Sequence, residues 1–251
     1  MKRLDISYYK EAISYVDQAS GGAVYSLSIA EQIQHGDIWV GTDTALFWHD
    51  AGFACMYGAC EEKFLDEMYA AFLGTICKTE RRFCLFVTDE RAAAYLQRKG
   101  GSSVDRRYFY AYRANAAPDI PPLPAHLQLR EIDKTLFERI EGKVTPLFSW
   151  RNAEEFLTHG KGYCIVDGDT VAAWAFSAAV SSGEIDIGVE TRSEYRHSGF
   201  GTITAGRMIQ YCLRQQKRPV WACLSTNPGS QKLAEKLGFE KCSECVVIRK
   251  T

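Results

Sequence analysis

Two glycine-punctuated segments carry residue types that could hold a phosphorylated ligand. The first is Glu194-Tyr-Arg-His-Ser-Gly-Phe-Gly-Thr202 and the second is Asn227-Pro-Gly-Ser-Gln-Lys-Leu-Ala-Glu-Lys-Leu-Gly-Phe239. In the first, Arg196, Gly199 and Gly201 stand between an apolar run, Ile185 to Val189, and a stretch with helical spacing, Thr202 to Gln215. Ile203, Met208, Ile209, Tyr211 and Cys212 mark the apolar side of that stretch. A strand therefore runs through a glycine loop into a helix start. The first N–H groups of a helix lack intrahelical partners, and the helix dipole adds partial positive charge, so a phosphate is a natural guest there. Glycines at 199 and 201 let the main chain approach it closely. The same residues would also serve an ordinary glycine turn.

The second segment narrows the choice. Val220 to Leu224 has the character of a short buried strand, and Ser225-Thr226-Asn227-Pro228 supplies caps and a proline suited to a first helical turn. Ser230 to Lys236 continues as a short helix that Gly238 stops. Strand, glycine loop, long helix, strand, short helix, Gly-Phe, final strand is the order of the GNAT acyltransferase superfamily, which the chain resembles. The family pattern Arg/Gln-x-x-Gly-x-Gly/Ala matches Arg196, Gly199 and Gly201. Its second pattern, Asn-x-x-Ala/Ser-x-x-Leu ending in Lys-x-Gly-Phe, matches Asn227, Ser230, Leu233, Lys236, Gly238 and Phe239. The resemblance implies an α/β (α+β) fold whose C-terminal domain has a mixed, mostly antiparallel sheet flanked by helices.

It also implies transfer of an acetyl group from acetyl-CoA to an amine of a small molecule or an exposed amino group, by direct attack on the thioester. The strand before the glycine loop would then offer backbone groups to the pantetheine arm at Val189 to Thr191. The same backbone could stabilise the oxyanion. Backbone groups of His197, Ser198, Gly199, Phe200, Gly201 and Thr202 would hold the pyrophosphate, with Arg196 adding fixed charge and the Thr202 hydroxyl a further donor. His197 reads equally well as a solvent-facing loop residue. Asn227 would bond the pantetheine amide, Ser230 would contact the cofactor or simply start the helix, and Lys232 or Lys236 would meet a nucleotide phosphate. An alkyl amine with a pKa of about 10.4 is protonated at neutral pH, so a carboxylate or water chain must take its proton. Glu184, Asp186 and Glu190 are the candidates, sharing one strand face unless a bulge separates Glu190 from the others.

Two departures from the family stand out. Many members have a tyrosine after the leucine of the short helix, suited to protonating the leaving thiolate, whereas here Ala234 follows Leu233. One strand closes the C-terminal half where the family has two, leaving a place for a strand from the N-terminal half. Two other readings therefore stand beside the transferase: a non-catalytic acyl-CoA sensor, and an acyltransferase with another acyl donor.

Composition is permissive. The 251 residues are 46% hydrophobic, enough for one large or two small domains, and 30 Lys plus Arg balance 31 Asp plus Glu, with no basic excess to suggest nucleic acid. No apolar run reaches membrane-spanning length and no signal-peptide core opens the chain, so a cytoplasmic location is expected. Most of the nine cysteines fall in apolar runs and read as reduced core thiols. Cys242-Ser-Glu-Cys245 has Cys-x-x-Cys spacing, but in a strand those side chains point to opposite faces and no second pair completes a zinc site, so no metal is expected.

Prolines at 118, 121, 122 and 124 follow Asn115 and mark a linker or surface strap at 118–125, dividing the chain into 1–117 and 126–251. Downstream, strands are expected at Leu127–Glu131, Gly162–Val166, Val171–Val180 and Glu184–Val189, with helices at Lys134–Glu141 and Ala153–Thr158. Upstream, strands at Asp37–Val40, Ala45–His49, Gly52–Tyr57 and Phe83–Val87 accompany a helix over Glu61–Leu73. A second helix, capped by Asp89, ends at Lys99-Gly100. Residues 35–113 read as a decayed GNAT-like partner without the glycine loop, hence without cofactor, or as an unrelated α/β subdomain. Tyr108, Tyr110 and Tyr112 alternate on one strand face, which suggests a packing or homodimer surface, or the wall of an acceptor pocket.

Overall fold

The computed structural model describes residues 1–74, 80–114 and 116–250, so Asn115, at the head of the proline-rich stretch, lies outside the described residues. The fold is mixed α/β, its sheet mostly antiparallel and flanked by helices. The chain forms two compact units. The first comprises Met1–Phe109, Cys223–Asn227 and Cys242–Thr251, and the second comprises Tyr110–Ala222 and Pro228–Lys241.

In the second unit, β7 (Leu127–Glu131), α4 (Lys134–Arg139) and α5 (Ala153–His159) precede β8 (Gly162–Asp167), β9 (Thr170–Val180) and β10 (Glu184–Thr191). Then come α6 (Phe200–Arg214), β11 (Arg218–Leu224) and α7 (Pro228–Lys236), followed by β12 (Phe239–Lys250), which belongs to the first unit from Cys242 onward. The strands lie in the order β11-β10-β9-β8-β7, antiparallel throughout except for the parallel pair β10 and β11. β9 is buried from Val171 to Val180 and reads as a continuous apolar run, as a central strand covered on both faces must. Asp133 and Asn152 cap α4 and α5, accepting from Leu136 N–H at 2.8 Å and Glu155 N–H at 2.9 Å.

The proline-rich stretch lies along α6. A Cβ at Gly206 would stand 3.2 Å from Ile120 and 3.8 Å from Pro118, and Leu123 packs with Leu127, Phe200 and Ile203. The absence of a side chain at Gly206 thus admits the strap.

The first unit repeats the order. β1 (Lys2–Arg3) leads into short 3-10 turns and α1 (Ala23–Ala30), followed by β2 (Gly36–Val40), β3 (Thr44–His49), β4 (Phe53–Gly58) and α2 (Glu62–Met68). β5 (Cys84–Val87), α3 (Glu90–Arg98) and β6 (Ser102–Tyr112) complete it. Its strands run β1-β2-β3-β4-β5-β12, again with antiparallel neighbours and one parallel pair, β4 and β5. The helix expected over Glu61–Leu73 is α2 followed by a π-helical turn at Tyr69–Leu73. Asp89 caps α3 through Arg91 N–H at 2.7 Å and Ala92 N–H at 3.2 Å.

Two placements differ from simple expectation. The tyrosine-bearing strand β6 is buried at its end: Phe109, Tyr110, Ala111 and Tyr112 are buried on both faces and Tyr108 is half-buried, so the tyrosines pack, as one of the expected alternatives had it, but not on one face alone. Within the first unit, Ser225 N–H, just after β11, donates to Arg106 C=O on β6 at 2.9 Å. In turn, β12 pairs with β5, matching Val246 to Val87 and Ile248 to Leu85. No described helix is long and apolar enough to cross a membrane.

Ile248 is fully buried in the first unit's core with Leu46, Leu65, Leu85 and Leu96. Ile248→Ala is expected to cost about 2–4 kcal/mol in chemical denaturation. Limited proteolysis of the variant should cut first within residues 1–109, despite the mutation's place near the C-terminus. A loss below about 1 kcal/mol would contradict this assignment of β12.

Candidate functional site

Strands β10 and β11 are hydrogen-bonded only at their start. Glu184 pairs with Arg218, Ile185 with Pro219 and Asp186 with Val220, after which the ladder ends although β10 continues to Thr191. At that point the register between β10 and β9 shifts, passing over Ala178 on β9 as it moves from Asp186 to Ile187. An extra residue on one strand sharpens local twist, which carries β10 away from β11. The insertion lies in β9, so β10 keeps its alternation and Glu190 is set apart from Glu184 and Asp186 by the divergence itself. Beyond Asp186, the edge of β10 facing away from β9 has no ladder partner among the described residues.

The glycine loop opens beside that edge. Ser193–Tyr195 forms a 3-10 turn, held by the Tyr195 hydroxyl donating to Asp167 Oδ2 at 3.0 Å. His197 then takes φ 66° and Gly199 φ 78°, both left-handed. Gly199 caps α6 without a side chain, and only its carbonyl is used, by Thr202 and Ile203 N–H at 3.0 and 3.2 Å. Among the described residues, the N–H groups of His197, Ser198, Gly199, Phe200 and Gly201 have no protein acceptor. They form a concave set of donors at a helix N-terminus, where the dipole adds positive potential. An added Cβ at Gly199 would meet nothing within 4 Å, whereas one at Gly201 would face Leu233 Cδ2 at 3.3 Å, Thr191 Oγ1 at 3.4 Å and Val189 Cγ2 at 3.9 Å. Val189, Thr191 and Leu233 therefore converge on the bare Cα of Gly201. In the sequence, the signal for Leu233 is its helical spacing from Ser230 and Lys236.

The remaining expected cofactor contacts divide by environment. Arg196, His197 and Ser198 are exposed, and Arg196 forms no ion pair among the described residues. Phe200 is buried against Tyr195, ring centroids 6.0 Å apart, and Thr202 is buried within α6. Ser230 Oγ receives the Trp221 indole N–H at 3.0 Å, which joins α7 to β11 and occupies this hydroxyl structurally. Lys232 and Lys236 are exposed one turn apart on α7. Asn227 lies in the exposed turn before Pro228, its N–H on Leu224 C=O at 3.0 Å. Arg192, not anticipated from sequence, follows Thr191 directly and has a buried Nε without a partner. Ala234, in place of the family's tyrosine, is completely buried.

The three carboxylates differ sharply. Glu184 accepts from Arg218 Nε at 2.8 Å and locks the first rung of the β10–β11 pair. Asp186 is buried at the last rung. Glu190 alone lies on the diverged stretch, between Val189 and Thr191, and its Oε2 accepts from Val144 N–H at 2.7 Å.

In the corresponding turn of the first unit, two N–H groups are used within the protein and acidic side chains flank the helix start. Ala59 N–H donates to Asp43 C=O at 3.0 Å and Glu61 N–H to Ala59 C=O at 2.8 Å. A Cβ at Gly58 would stand 1.9 Å from Asp43 O, and Glu61 and Glu62 place negative charge at the start of α2. An anion is disfavoured there.

A fold of this kind, with diverging parallel strands and an open donor loop at the start of a long helix, defines an acyltransferase of the GNAT class. The family model for GNAT acetyltransferase matches residues 18–248, and the chain belongs to that family. It is 24% identical over 238 residues to the uncharacterized N-acetyltransferase YdfB of Bacillus subtilis (strain 168), covering 93% of this chain and 87% of that protein. The structure is similar to a GCN5-related N-acetyltransferase-like protein from Streptococcus suis 89/1591, with TM-score 0.76, 21% identity and coverage of 98% and 100% of the two chains. It also resembles a tandem GNAT protein from the clavulanic acid biosynthesis pathway, with TM-score 0.63, 13% identity and coverage of 99% and 97%.

Among the described residues no group of three or more His, Cys, Asp or Glu is placed to hold a metal ion. Cys242 is exposed while Cys245 is buried, as opposite faces of a strand require. Burial pushes the thiols of Cys164, Cys212 and Cys245 up to about 12, so they stay protonated and unreactive at pH 8. Maleimide labelling of the native protein at pH 8 should modify Cys242 and spare these three until denaturant is added. Rapid native labelling of Cys245 would contradict the buried placement.

Proposed function

We propose that this chain is an N-acetyltransferase that moves an acetyl group from acetyl-CoA to an amine of a small molecule or an exposed amino group, by direct attack. One observation carries the reading: the N–H groups of His197 through Gly201 have no protein acceptor and open beside Val189, Thr191 and Leu233. The donor set fits a pyrophosphate, with Arg196 supplying charge and the unpaired edge of β10 suiting the amides of pantetheine. Lys232 or Lys236 would meet a nucleotide phosphate. Bound acetyl-CoA supplies an activated acyl carbonyl. Glu190, the one candidate carboxylate on the diverged stretch, takes the amine's proton, its Oε2 already oriented by Val144 N–H.

The buried Ala234 favours a second reading, a non-catalytic acyl-CoA sensor, because no phenol is available at that position to protonate the thiolate. Thiol release from acetyl-CoA across a panel of amines, peptides and polyamines separates the two. Turnover on any amine supports transfer, whereas tight acetyl-CoA binding without turnover leaves the sensor.

Gly201 has helical backbone at negative φ, so a side chain there adds up to about 1 kcal/mol of helix propensity while crowding Leu233, Thr191 and Val189. Gly201→Leu is expected to weaken acetyl-CoA binding at least about tenfold, roughly 1.4 kcal/mol, with the ligand-free Tm changed by only a few degrees. Unchanged affinity in calorimetry would place the cofactor elsewhere. Glu190→Gln should lower kcat by about 10²- to 10⁴-fold at pH 7, and rising pH should restore part of it as the amine deprotonates itself. An unaltered pH–rate profile would remove Glu190 as the base.

A further inference from the structure

Strands β4 and β5 part as β10 and β11 do, and in the first unit the parting holds a cavity. Their ladder runs from Phe53 and Cys84 to Cys55 and Phe86 and stops there, although β4 continues to Gly58 and β5 to Val87. A cavity of about 170 Å³ lies between the separated ends, with Met56 and Tyr57 on one side and Val87 and Thr88 on the other. Tyr15, Asp17 and Ser20, from the segment before α1, and Cys60, just before α2, also line it. The volume is well below the ~300–1,000 Å³ of sites for drug-sized ligands, so the guest that fits is small.

The charge of the lining has one sign. Asp17 and Asp89 both belong to it, and no Lys, Arg or His does. Each aspartate uses a single oxygen within the protein. Asp17 Oδ1 accepts from Ala19 N–H at 3.0 Å, and Asp89 Oδ1 takes the Arg91 and Ala92 N–H groups, which also meets the positive end of the α3 dipole. Among the described residues neither Oδ2 has a protein partner. Outside the lining, the exposed residues Glu61, Glu62 and Glu90 stand with Lys63 and Arg91 at the starts of α2 and α3, so the nearest charges do not reverse the sign. The remaining lining is apolar or neutral: Met56 and Val87 are buried, and the buried Tyr57 hydroxyl pairs with Ser26 Oγ at 3.0 Å. Burial, followed by the charge of Asp89, pushes the Cys60 thiol up, which puts that thiol within reach of the carboxylate's field.

We propose that the first unit binds a small alkylammonium ion in this cavity, its charge met by the free oxygens of Asp17 and Asp89 and its hydrocarbon part by Met56 and Val87. A cleft lined by one sign of charge concentrates the opposite sign, and here the strand parting that suits an anion in the second unit carries the reverse charge. The site belongs wholly to the first unit and is independent of the N-acetyltransferase reading.

The test uses the full chain at pH 7 and constant ionic strength with butylammonium, the neutral 1-butanol and the anion butyrate. The readouts are the rate of maleimide labelling at Cys60 and the methyl resonance of Met56, both in the cavity lining. Butylammonium should slow labelling of Cys60 and shift the Met56 methyl with a midpoint on the order of 1 mM, while labelling of the exposed Cys242 stays unchanged. The midpoint for 1-butanol should be at least about tenfold higher, and butyrate should have no effect. Asp17→Asn and Asp89→Asn should each raise the butylammonium midpoint about tenfold, and Asn caps a helix as Asp does, so α3 is retained. Absence of both effects with butylammonium overturns the site. Equal midpoints for butylammonium and 1-butanol overturn the charge assignment, as does an unchanged midpoint in both Asn variants.

Discussion

The parting of β10 from β11 after Asp186 is the constraint on which the candidate site depends. A strand edge inside a folded unit ordinarily finds a ladder partner, because unpaired backbone groups are costly to bury. Here the pair is locked at its start by Glu184 and Arg218 and released where β9 carries an extra residue. The release leaves the edge of β10 without a ladder partner among the described residues, and α6 begins beside it with its donors uncommitted. Ser230 holds Trp221 and so keeps α7 against β11 on the far side of the opening. The same divergence also frees Glu190 from the company of Glu184 and Asp186, which gives three carboxylates on one strand three different surroundings.

Much of this was legible from residue types. The glycine loop, the helix after it, the short helix before Gly238 and the strands of the second unit all carry local signals: caps, glycine stops and a period of apolar residues. What sequence could not supply was long-range. The extra residue in β9 leaves no mark in an apolar run that is buried on both faces, and Val144 meets Glu190 across 46 positions. Helix α1 carries no sequence signal because all its residues are buried, which erases the amphipathic period. The alternating tyrosines of β6 suggest one apolar face, but the intervening Phe109 and Ala111 are buried as well, and the end of the strand is covered on both sides.

The two units show how one chain order can support unequal chemistry. Each has antiparallel strands followed by one parallel pair that separates after three rungs, Phe53 to Cys55 against Cys84 to Phe86 in the first unit and Glu184 to Asp186 against Arg218 to Val220 in the second. The difference lies in the turn that follows. At His197 to Gly201 the backbone donors remain open, whereas Ala59 and Glu61 turn theirs inward and acidic residues guard the helix start. Two internal hydrogen bonds and two carboxylates separate a turn that suits an anion from one that disfavours it.

The position of β12 affects the order in which the protein can be made. On the ribosome, β5 emerges long before residues 246–249, so one edge of that strand stays exposed while nearly the whole remaining chain is synthesised. The first unit is thus the earlier to appear and the later to be finished. During that interval its open edge is the part of the nascent chain most prone to pair with another strand, and premature termination before Cys242 would leave it permanently exposed.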